Sequence, residues 1–315
     1  MLLRESSHPR NFLLTMRSIS ALALLCSLSR VLATPTRRSV TPLSSSDLSG
    51  FAPYTQFARA AYCPTSKLTG WTCGEACNAL PGFQPTLVGG DGNAVQIFFV
   101  GYWPSQNSVV VAHEGTDPTQ LVSVLTDANI LTDPLDTALF PGVSSSVLVH
   151  DGFRNAHALT ATKILAEVKR LFASKGTNRV TVVGHSLGGA LAELDALYFA
   201  LNLPSGTVIK AMTYGTPRVG NSAFASLIDA KVPGFKRINN EKDIVPIVPG
   251  RFLGFAHPSG EVHILSPGNA ISCSGEDDAT DAQCQIKTVP TIFDGNVLDH
   301  LGPYEGISIG TIFCT

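Results

Sequence analysis

The sequence of 315 residues lacks several features that would assign it to a class at once. It has no basic excess, since 22 Lys and Arg stand against 24 Asp and Glu, and this balance excludes a typical nucleic-acid-binding protein. It contains no apolar run of the roughly 20 residues that a membrane-spanning helix needs. No Asn-x-Ser/Thr sequence occurs, so we expect no N-glycosylation. Neither an internal repeat nor a low-complexity run is present.

The N-terminus has the pattern of an export signal. Arginines precede an apolar segment over residues 19–28, and the chain then reaches Ala33 through a small-residue pattern that signal peptidase cleaves. We therefore predict a signal peptide over residues 1–33, with Met16 as an alternative start. A short propeptide over residues 34–38 would end at a dibasic pair. The remaining residues, 39–315, form the predicted folded domain of a secreted, extracellular protein.

The cysteines agree with export. Cys26 lies in the predicted signal peptide, and the other six are an even number, which suggests three disulfides. Proximity along the chain favours two short loops, and the two cysteines left over would tie the ends of the domain together. The predicted pairs are Cys63–Cys314, Cys73–Cys77 and Cys273–Cys284. A metal site at the second pair is disfavoured, because no second Cys or His pair stands nearby.

Strand-like and helix-like segments alternate along the domain. Helical spacing of apolar residues, or a short β-branched run, supports each assignment. The predicted helices cover residues 44–62, 119–131, 151–175, 191–201 and 222–231. The predicted strands cover residues 96–102, 107–112, 147–150, 180–183, 208–214 and 235–239, and a hairpin is predicted over 256–264. This alternation is typical of a single α/β domain with a mainly parallel central sheet flanked by helices.

The sequence GHSLG at residues 184–188 matches the G-x-S-x-G pattern of a nucleophile elbow. A valine-rich strand precedes it and a small-residue helix follows, which is the context that the pattern needs. In that turn Ser186 would stand above the sheet as the nucleophile. The backbone N–H of Leu187, at the N-terminus of the helix, would then point at a developing oxyanion.

The strand over residues 107–112 leads into the sequence HEGTDP, which could supply the second oxyanion donor. Thr116 is the candidate, and the alternative is a simple β-turn favoured by Asp117-Pro118. The following segment, 119–131, has an apolar face and precedes a proline-rich strip. It is therefore a candidate lid, although an amphipathic helix packed permanently on the core has the same periodicity.

A serine nucleophile needs a base, and the base needs an orienting carboxylate. Asp243 follows the predicted strand 235–239 and is the candidate acid, with Glu241 as its rival. His300 is the preferred base because it lies late in the chain, in a loop. His257 and His263 flank the predicted hairpin, where surface or cross-strand roles are expected. The four histidines before the acid (113, 150, 157 and 185) are expected to support loops by hydrogen bonding.

Several motifs together resemble the secreted fungal class 3 lipases, with the related feruloyl esterases as close cousins. They are GHSLGG at 184–189, YGTPRVGN at 214–221, DIVP at 243–246, HDGF at 150–153 and DH at 299–300. The resemblance implies an α/β-hydrolase fold and a triad of Ser186, Asp243 and His300. It also implies an oxyanion hole from Thr116 and Leu187, a lid after the oxyanion loop, and the disulfides given above. One departure is the oxyanion loop, which in the family begins aromatic-Arg-Gly but here reads His-Glu-Gly at 113–115.

The sequence therefore predicts a secreted carboxylic ester hydrolase, foremost a triacylglycerol lipase that works through an acyl-enzyme. A feruloyl or other small-ester esterase is the alternative, favoured by polar residues in the lid segment. A non-catalytic lipid-binding relative would have lost a triad member, and none is lost here. We expect no metal or organic cofactor and no nucleic-acid partner. The expected protein is a monomer without a transmembrane segment, and its ester substrate lies at a lipid–water interface.

Overall fold

A central sheet of nine strands organises the residues that this computed structural model describes, namely 40–126, 130–277 and 280–314. The predicted signal peptide and propeptide lie outside these residues. The strands are β1 (Thr41–Pro42), β2 (Gln84–Gly89), β3 (Phe98–Trp103), β4 (Ser108–His113), β5 (Thr132–Pro134), β6 (Leu148–His150), β7 (Arg179–His185), β8 (Val208–Tyr214), β9 (Gly220–Asn221), β10 (Gly234–Asn240), β11 (Phe255–Ala256), β12 (Glu261–Ser266) and β13 (Asn269–Ser272). The central order is β1-β13-β12-β10-β8-β7-β4-β3-β2. The other four form a small sheet of order β11-β9-β6-β5.

The middle of the large sheet is parallel. Strands β4, β7, β8, β10 and β12 pair in parallel, and the strands at both edges pair antiparallel. Successive side chains of a strand point to opposite faces of a sheet. Val109 and Val111 accordingly join one apolar cluster and Val110 and Ala112 the other, and all four are fully buried. The predicted α/β fold with a mainly parallel sheet is confirmed.

Helices cover both faces of this sheet. They are α1 (Ser45–Ser49), α2 (Ala52–Ala60), α3 (Thr65–Thr69), α4 (Gly74–Asn78), α5 (Pro118–Leu125), α6 (Asp151–Ala158), α7 (Ala161–Lys175), α8 (Leu187–Asn202), α9 (Ser222–Lys231) and α10 (Gln285–Thr288). Helices α1–α4 pack in one apolar cluster, and α5–α9 pack in the other. In the described ranges no helix combines the length and the hydropathy that crossing a bilayer requires.

The predicted helix over residues 44–62 is two helices. Ser44 caps α1, since its side chain accepts the Asp47 N–H while the Asp47 carboxylate accepts the Ser44 N–H. Helix α1 ends at Ser49, and α2 starts three residues later, at Ala52, with Pro53 in its first turn, where a proline is tolerated. The apolar residues therefore follow one continuous helical pattern, but the cap and the proline mark the starts of two separate helices.

The predicted hairpin over residues 256–264 is wrong. Strand β11 pairs with β9 in the small sheet, whereas β12 pairs in parallel with β10 and forms a hairpin with β13 instead. Glu261 on β12 binds Arg237 on β10 at 2.8 Å, and this buried ion pair joins the two strands. His257 and His263 are buried rather than on the surface. His257 contacts the Pro246 carbonyl, and His263 contacts the carbonyls of Gln283 and Glu241.

Three disulfides join the described cysteines in the pairs that proximity favours. Cys63–Cys314 connects the region after α2 to the C-terminal segment, while Cys73–Cys77 and Cys273–Cys284 close short loops. The first closes a loop of 251 residues, so its removal would release the largest unfolded-state entropy.

One buried carboxyl group on α8 has no hydrogen-bond partner in the described part of the chain. Glu193 is fully buried, and both of its carboxyl oxygens are unsatisfied. Burial raises the pKa of Glu193 from 4.5 to about 8, against attraction by Arg237 and with added repulsion from Asp229. The side chain is therefore neutral in the folded protein at pH 7.

We expect Glu193→Gln to stabilise the protein increasingly as the pH rises. Between the unfolded and the folded pKa, the unfolded chain has lost the proton that the folded chain keeps. The free energy of unfolding of the parent therefore falls by about 1.4 kcal/mol per pH unit in that window. Glutamine does not titrate, so the difference in Tm between variant and parent should grow from about pH 5 to pH 8 and then level off. A difference that stays flat across this range in calorimetry would contradict the neutral, buried Glu193.

Candidate active site

The candidate nucleophile lies in the turn between β7 and α8. Ser186 has φ 60° and ψ −131°, a strained conformation typical of a nucleophile elbow. A Cβ atom at Gly184 would collide with the backbone of Gly188, so glycine is required for the sharp turn. The Ser186 side chain is fully buried, and its Oγ has no hydrogen-bond partner among the described residues. Among these residues the hydroxyl therefore makes neither a competing hydrogen bond nor one to the candidate base.

The candidate base and acid are in direct contact. His300 lies in a 3₁₀ turn, Val297–Leu301, and Asp243 follows β10. The Nδ1–H of His300 donates to Oδ2 of Asp243 at 2.8 Å, and Oδ1 accepts the Val245 N–H at 2.8 Å. Since the proton lies on Nδ1, the lone pair of a neutral imidazole lies on Nε2, which has no partner in the described ranges. This is the tautomer that a general base needs.

The rival residues do not make this contact. Glu241 comes just before Asp243 and has a positive φ of 43°, but its carboxylate is not a partner of His300. His257 and His263 bind backbone carbonyls, as described above. Of the candidates weighed from the sequence, the structure thus brings together Asp243 and His300.

A second set of contacts holds the backbone of His300. Its carbonyl oxygen accepts hydrogen bonds from His185 Nε2–H at 2.7 Å and from the Tyr304 hydroxyl at 3.0 Å. The rings of His185 and His300 are also in contact, with centroids 4.3 Å apart and planes inclined by 35°. Because His185 directly precedes Ser186, these contacts keep the candidate base beside the candidate nucleophile.

His185 acts in this set as a neutral ring. Burial, and then repulsion by His300, lowers the pKa of His185 well below its usual value. Its Nδ1 therefore accepts a hydrogen bond from the Tyr62 hydroxyl at 2.6 Å, while its Nε2–H donates to His300. Sequence reasoning missed Tyr62 and Tyr304, since no local pattern relates residues so far apart in the chain.

Gly215 is a further site residue that the sequence could have indicated. It has φ 50°, and a Cβ there would lie 2.7 Å from Asp243 Oδ2, His300 Nδ1 and the Tyr304 hydroxyl. The position therefore accepts only glycine. Its place in the sequence YGTPRVGN, directly after a strand of the parallel sheet, was the available signal.

One candidate oxyanion donor, Leu187, directly follows Ser186, and the other, Thr116, lies in a loop that contacts Ser186. Leu187 is the first residue of α8, and Thr116 follows Gly115 in the loop after β4. A Cβ on Gly115 would lie 2.8 Å from the Ser186 Cβ, so this loop touches the nucleophile. At the root of the loop, Glu114 accepts the Ile97 N–H at 3.0 Å, and burial raises its pKa. Glu114, which stands where the family pattern has Arg, thus connects the loop to the segment before β3 by a hydrogen bond.

The candidate lid is shorter than predicted. Helix α5 covers Pro118–Leu125, residues 127–129 lie outside the described residues, and Leu121 and Leu125 are buried. The helix contacts the turn that carries His300. Since Ser186 and His300 are both fully buried, the site is closed to solvent, and a substrate can enter only after a movement.

An apolar cavity of about 490 Å³ lies at the end of α5. It is bordered by the end of that helix, by the loop after Asp243, by the 3₁₀ turn Arg251–Leu253 and by the segment after α10. The lining is Leu125, Thr126, Arg218, Ile247, Val248, Gly250, Arg251, Phe252, Leu253, Ile286, Pro290, Thr291 and Ile292. Its volume is that of a typical small-molecule site, and its walls suit an apolar chain.

Metal ligation has little support among the described residues. The one cluster of potential ligands found there is Glu261, Cys273 and Cys284. The two cysteines are joined in a disulfide and therefore offer no thiolates.

Comparison with known proteins gives a consistent result. A family model described as lipase (class 3) matches residues 110–253. A secreted mono- and diacylglycerol lipase of Malassezia globosa is 37% identical over 228 residues, covering 71% of this chain and 72% of that protein. A second one from the same organism is 30% identical over 206 residues, covering 65% of this chain and 64% of that protein.

Solved structures of fungal lipases have the same fold. The Rhizomucor miehei lipase in its propeptide complex superimposes with a TM-score of 0.74 at 28% identity, covering 88% of this chain and 85% of that chain. The triacylglyceride lipase of the same organism gives 0.73 at 27% identity, covering 88% of this chain and 100% of that chain. The similarity therefore extends over nearly all of the described domain.

Proposed function

The chain belongs to the class 3 lipase family and is a secreted carboxylic ester hydrolase, and from this premise we propose that it cleaves acylglycerols at a lipid–water interface. In this proposal Ser186 is the nucleophile, His300 the general base and Asp243 the orienting acid. The observation that carries it is the 2.8 Å contact between His300 Nδ1 and Asp243, since it leaves Nε2 of His300 without a hydrogen-bond partner in the described part of the chain and so able to act as a base. The protein acts as a monomer.

The proposed reaction follows from these positions. His300 Nε2 takes the proton of Ser186 as Oγ attacks the ester carbonyl carbon, and the Asp243 carboxylate stabilises the imidazolium. The N–H groups of Leu187 and Thr116 donate to the resulting oxyanion. The imidazolium then protonates the leaving alcohol oxygen as the ester C–O bond breaks. A water gives its proton to His300 and attacks the acyl-enzyme, and the carboxylic acid leaves as Ser186 regains its proton.

The substrate class follows from the surroundings of the triad. Helix α5, whose buried residues Leu121 and Leu125 are apolar, contacts the turn that carries His300, and its end lines the apolar cavity. The triad residues themselves do not line this cavity. Two phenylalanines are strongly exposed at that cavity: Phe252 lines it and is 90% exposed, and Phe293, next to the lining residue Ile292, is 92% exposed. Exposed aromatic side chains around an apolar opening suit contact with a lipid surface. The related sequences named above act on mono- and diacylglycerols and the solved neighbour on triacylglycerides, so we propose acylglycerols as the class.

The proposal is tested by measuring the rate of tributyrin hydrolysis at concentrations below and above the solubility limit of this substrate. We expect the rate per enzyme to rise on the order of tenfold once droplets form, because an apolar surface stabilises the open position of α5. Mono-, di- and triolein compared as emulsions identify the preferred acylglycerol. A hyperbolic curve without a jump, together with faster cleavage of methyl ferulate, would instead favour the feruloyl esterase alternative.

Variants at the two phenylalanines make this test specific. Replacing both Phe252 and Phe293 by Ser removes side chains worth about 1.5–3 kcal/mol each on burial, so adsorption to the emulsion should weaken by more than about tenfold. Hydrolysis of dissolved p-nitrophenyl acetate should stay unchanged. Leu159→Ser is the matched control, since Leu159 is 62% exposed but does not line the cavity.

A further inference from the structure

Three buried ionisable side chains outside the candidate triad form a cluster in which two histidines contact one aspartate. Asp195 on α8 has one carboxylate oxygen 2.7 Å from Nε2 of His113 and the other 2.9 Å from Nε2 of His157. All three are at most 1% exposed. Burying a carboxylate is costly unless donors satisfy it, so two imidazole N–H groups on one carboxylate form a specific arrangement. Nothing in the proposed reaction uses it.

The charge state of this cluster is defined by its geometry. Burial alone would raise the pKa of Asp195, but the hydrogen bonds from His113 and His157 hold it below its usual value. The carboxylate is therefore anionic and accepts one Nε2–H from each ring. The Nδ1 of His157 has no partner in the described part of the chain, so the only polar contact of this ring is the one from Nε2 to Asp195.

The position of the cluster relates it to the oxyanion hole. His113 is the last residue of β4, three residues before Thr116. Asp195 lies on α8 eight residues after Leu187, about 12 Å along the helix. The contact between His113 and Asp195 thus joins the two elements that carry the two candidate oxyanion donors. His157 joins the same carboxylate to α6, which carries neither donor.

A second contact limits movement of the loop near the donors. A Cβ on Gly188 would collide with the backbone carbonyls of His113 and Glu114, so the start of α8 and the root of the loop touch directly. The hydrogen bond between His113 and Asp195 lies two helical turns further along α8. The end of β4 is therefore held against α8 at two points, Gly188 and Asp195. Small shifts of groups at an active site have large effects on rate.

We propose that Asp195 is a positioning residue that, through His113, fixes the oxyanion loop against α8 and so sets the spacing of the Thr116 and Leu187 N–H donors. This inference rests on the proposed function. It also gives a role to His113, where the chain departs from the aromatic residue that begins the oxyanion loop in the family pattern. A histidine there can bind the carboxylate, and a phenylalanine cannot.

The test compares His113→Phe with His157→Phe, two identical changes that each remove one hydrogen bond from the same carboxylate. Both should lower the Tm. Only His113→Phe should lower kcat on dissolved p-nitrophenyl butyrate, by about 10–100-fold, less than the loss of a whole oxyanion donor, while KM stays within about twofold. The affinity for a trifluoromethyl ketone, which forms an oxyanion on Ser186, should fall by the same factor as kcat.

His113→Gln supplies the rescue, since its side-chain amide can donate to Asp195 from nearly the same place as Nε2. Its kcat should lie within about fivefold of the parent. Equal kcat values for the two phenylalanine variants would overturn the inference, and so would a reduced kcat without weaker ketone binding. The parent protein and Ser186→Ala in the same assay test the proposed function separately, because they leave the cluster untouched.

Discussion

Replacing Ser186 by Ala should lower kcat on a dissolved ester by roughly five orders of magnitude or more, to the level left by binding and the oxyanion donors alone. The reason is that Oγ is the atom that forms the acyl-enzyme in the proposed reaction. Folding should be unaffected, because Oγ makes no hydrogen bond within the described residues. Single-turnover and steady-state rates with p-nitrophenyl butyrate measure the loss, and the far-UV spectrum and Tm measure folding.

The control for this change is Ser222→Ala, at an exposed serine at the start of α9. It should leave both kcat and Tm close to those of the parent. Residual activity of Ser186→Ala above about 1% of the parent, in protein with an unchanged Tm, would place the nucleophile elsewhere.

Much of the fold could be predicted from local patterns in the sequence. The strand over 208–214 and the helix over 222–231 have the predicted bounds. The predicted helix over 151–175 is divided into α6 and α7, but it ends at Lys175 as predicted, and Gly176 caps it in the left-handed conformation. These segments were predictable because their apolar periodicity and their end signals agree. The family, the α/β fold and the ester-hydrolase function are confirmed, whereas the roles of the triad residues stay predictions.

The predictions from sequence were wrong or incomplete where a strand pairing or a side-chain contact depends on a residue far away in the chain. Alternation predicted strands around residues 256–264 but not that β12 pairs with β10 rather than with its neighbour β11. The same limit hid the contacts of Tyr62 and Tyr304 with the candidate site. Tyr62 lies 123 residues from His185, and only the folded sheet brings the two together. Loop support by the upstream histidines was predicted, but Asp195 as the partner that His113 and His157 share was not, because its place in the helical pattern indicated only a buried position.

Replacing Asp243 by Asn should lower kcat by about four orders of magnitude without a comparable loss of substrate binding. An asparagine can still accept the Val245 N–H through its oxygen, and its NH₂ group then faces His300 Nδ1. The imidazole must accept there, so its proton moves to Nε2, which can no longer act as a base. The aspartate's charge, which stabilises the imidazolium, is also lost. Measurements of kcat and KM with p-nitrophenyl butyrate give the size of the effect.

Two neighbouring acids provide matched controls for this prediction. Asp299→Asn changes the residue next to His300, whose carboxylate accepts the Lys242 N–H at 3.0 Å and contacts Asn296, so we expect a lower Tm but a kcat within about threefold of the parent. Glu241→Gln changes the rival acid and should leave both quantities unchanged. If Glu241→Gln lost as much kcat as Asp243→Asn, the orienting acid would be Glu241, and the 2.8 Å contact between Asp243 and His300 would not be the one that sets the tautomer of the base.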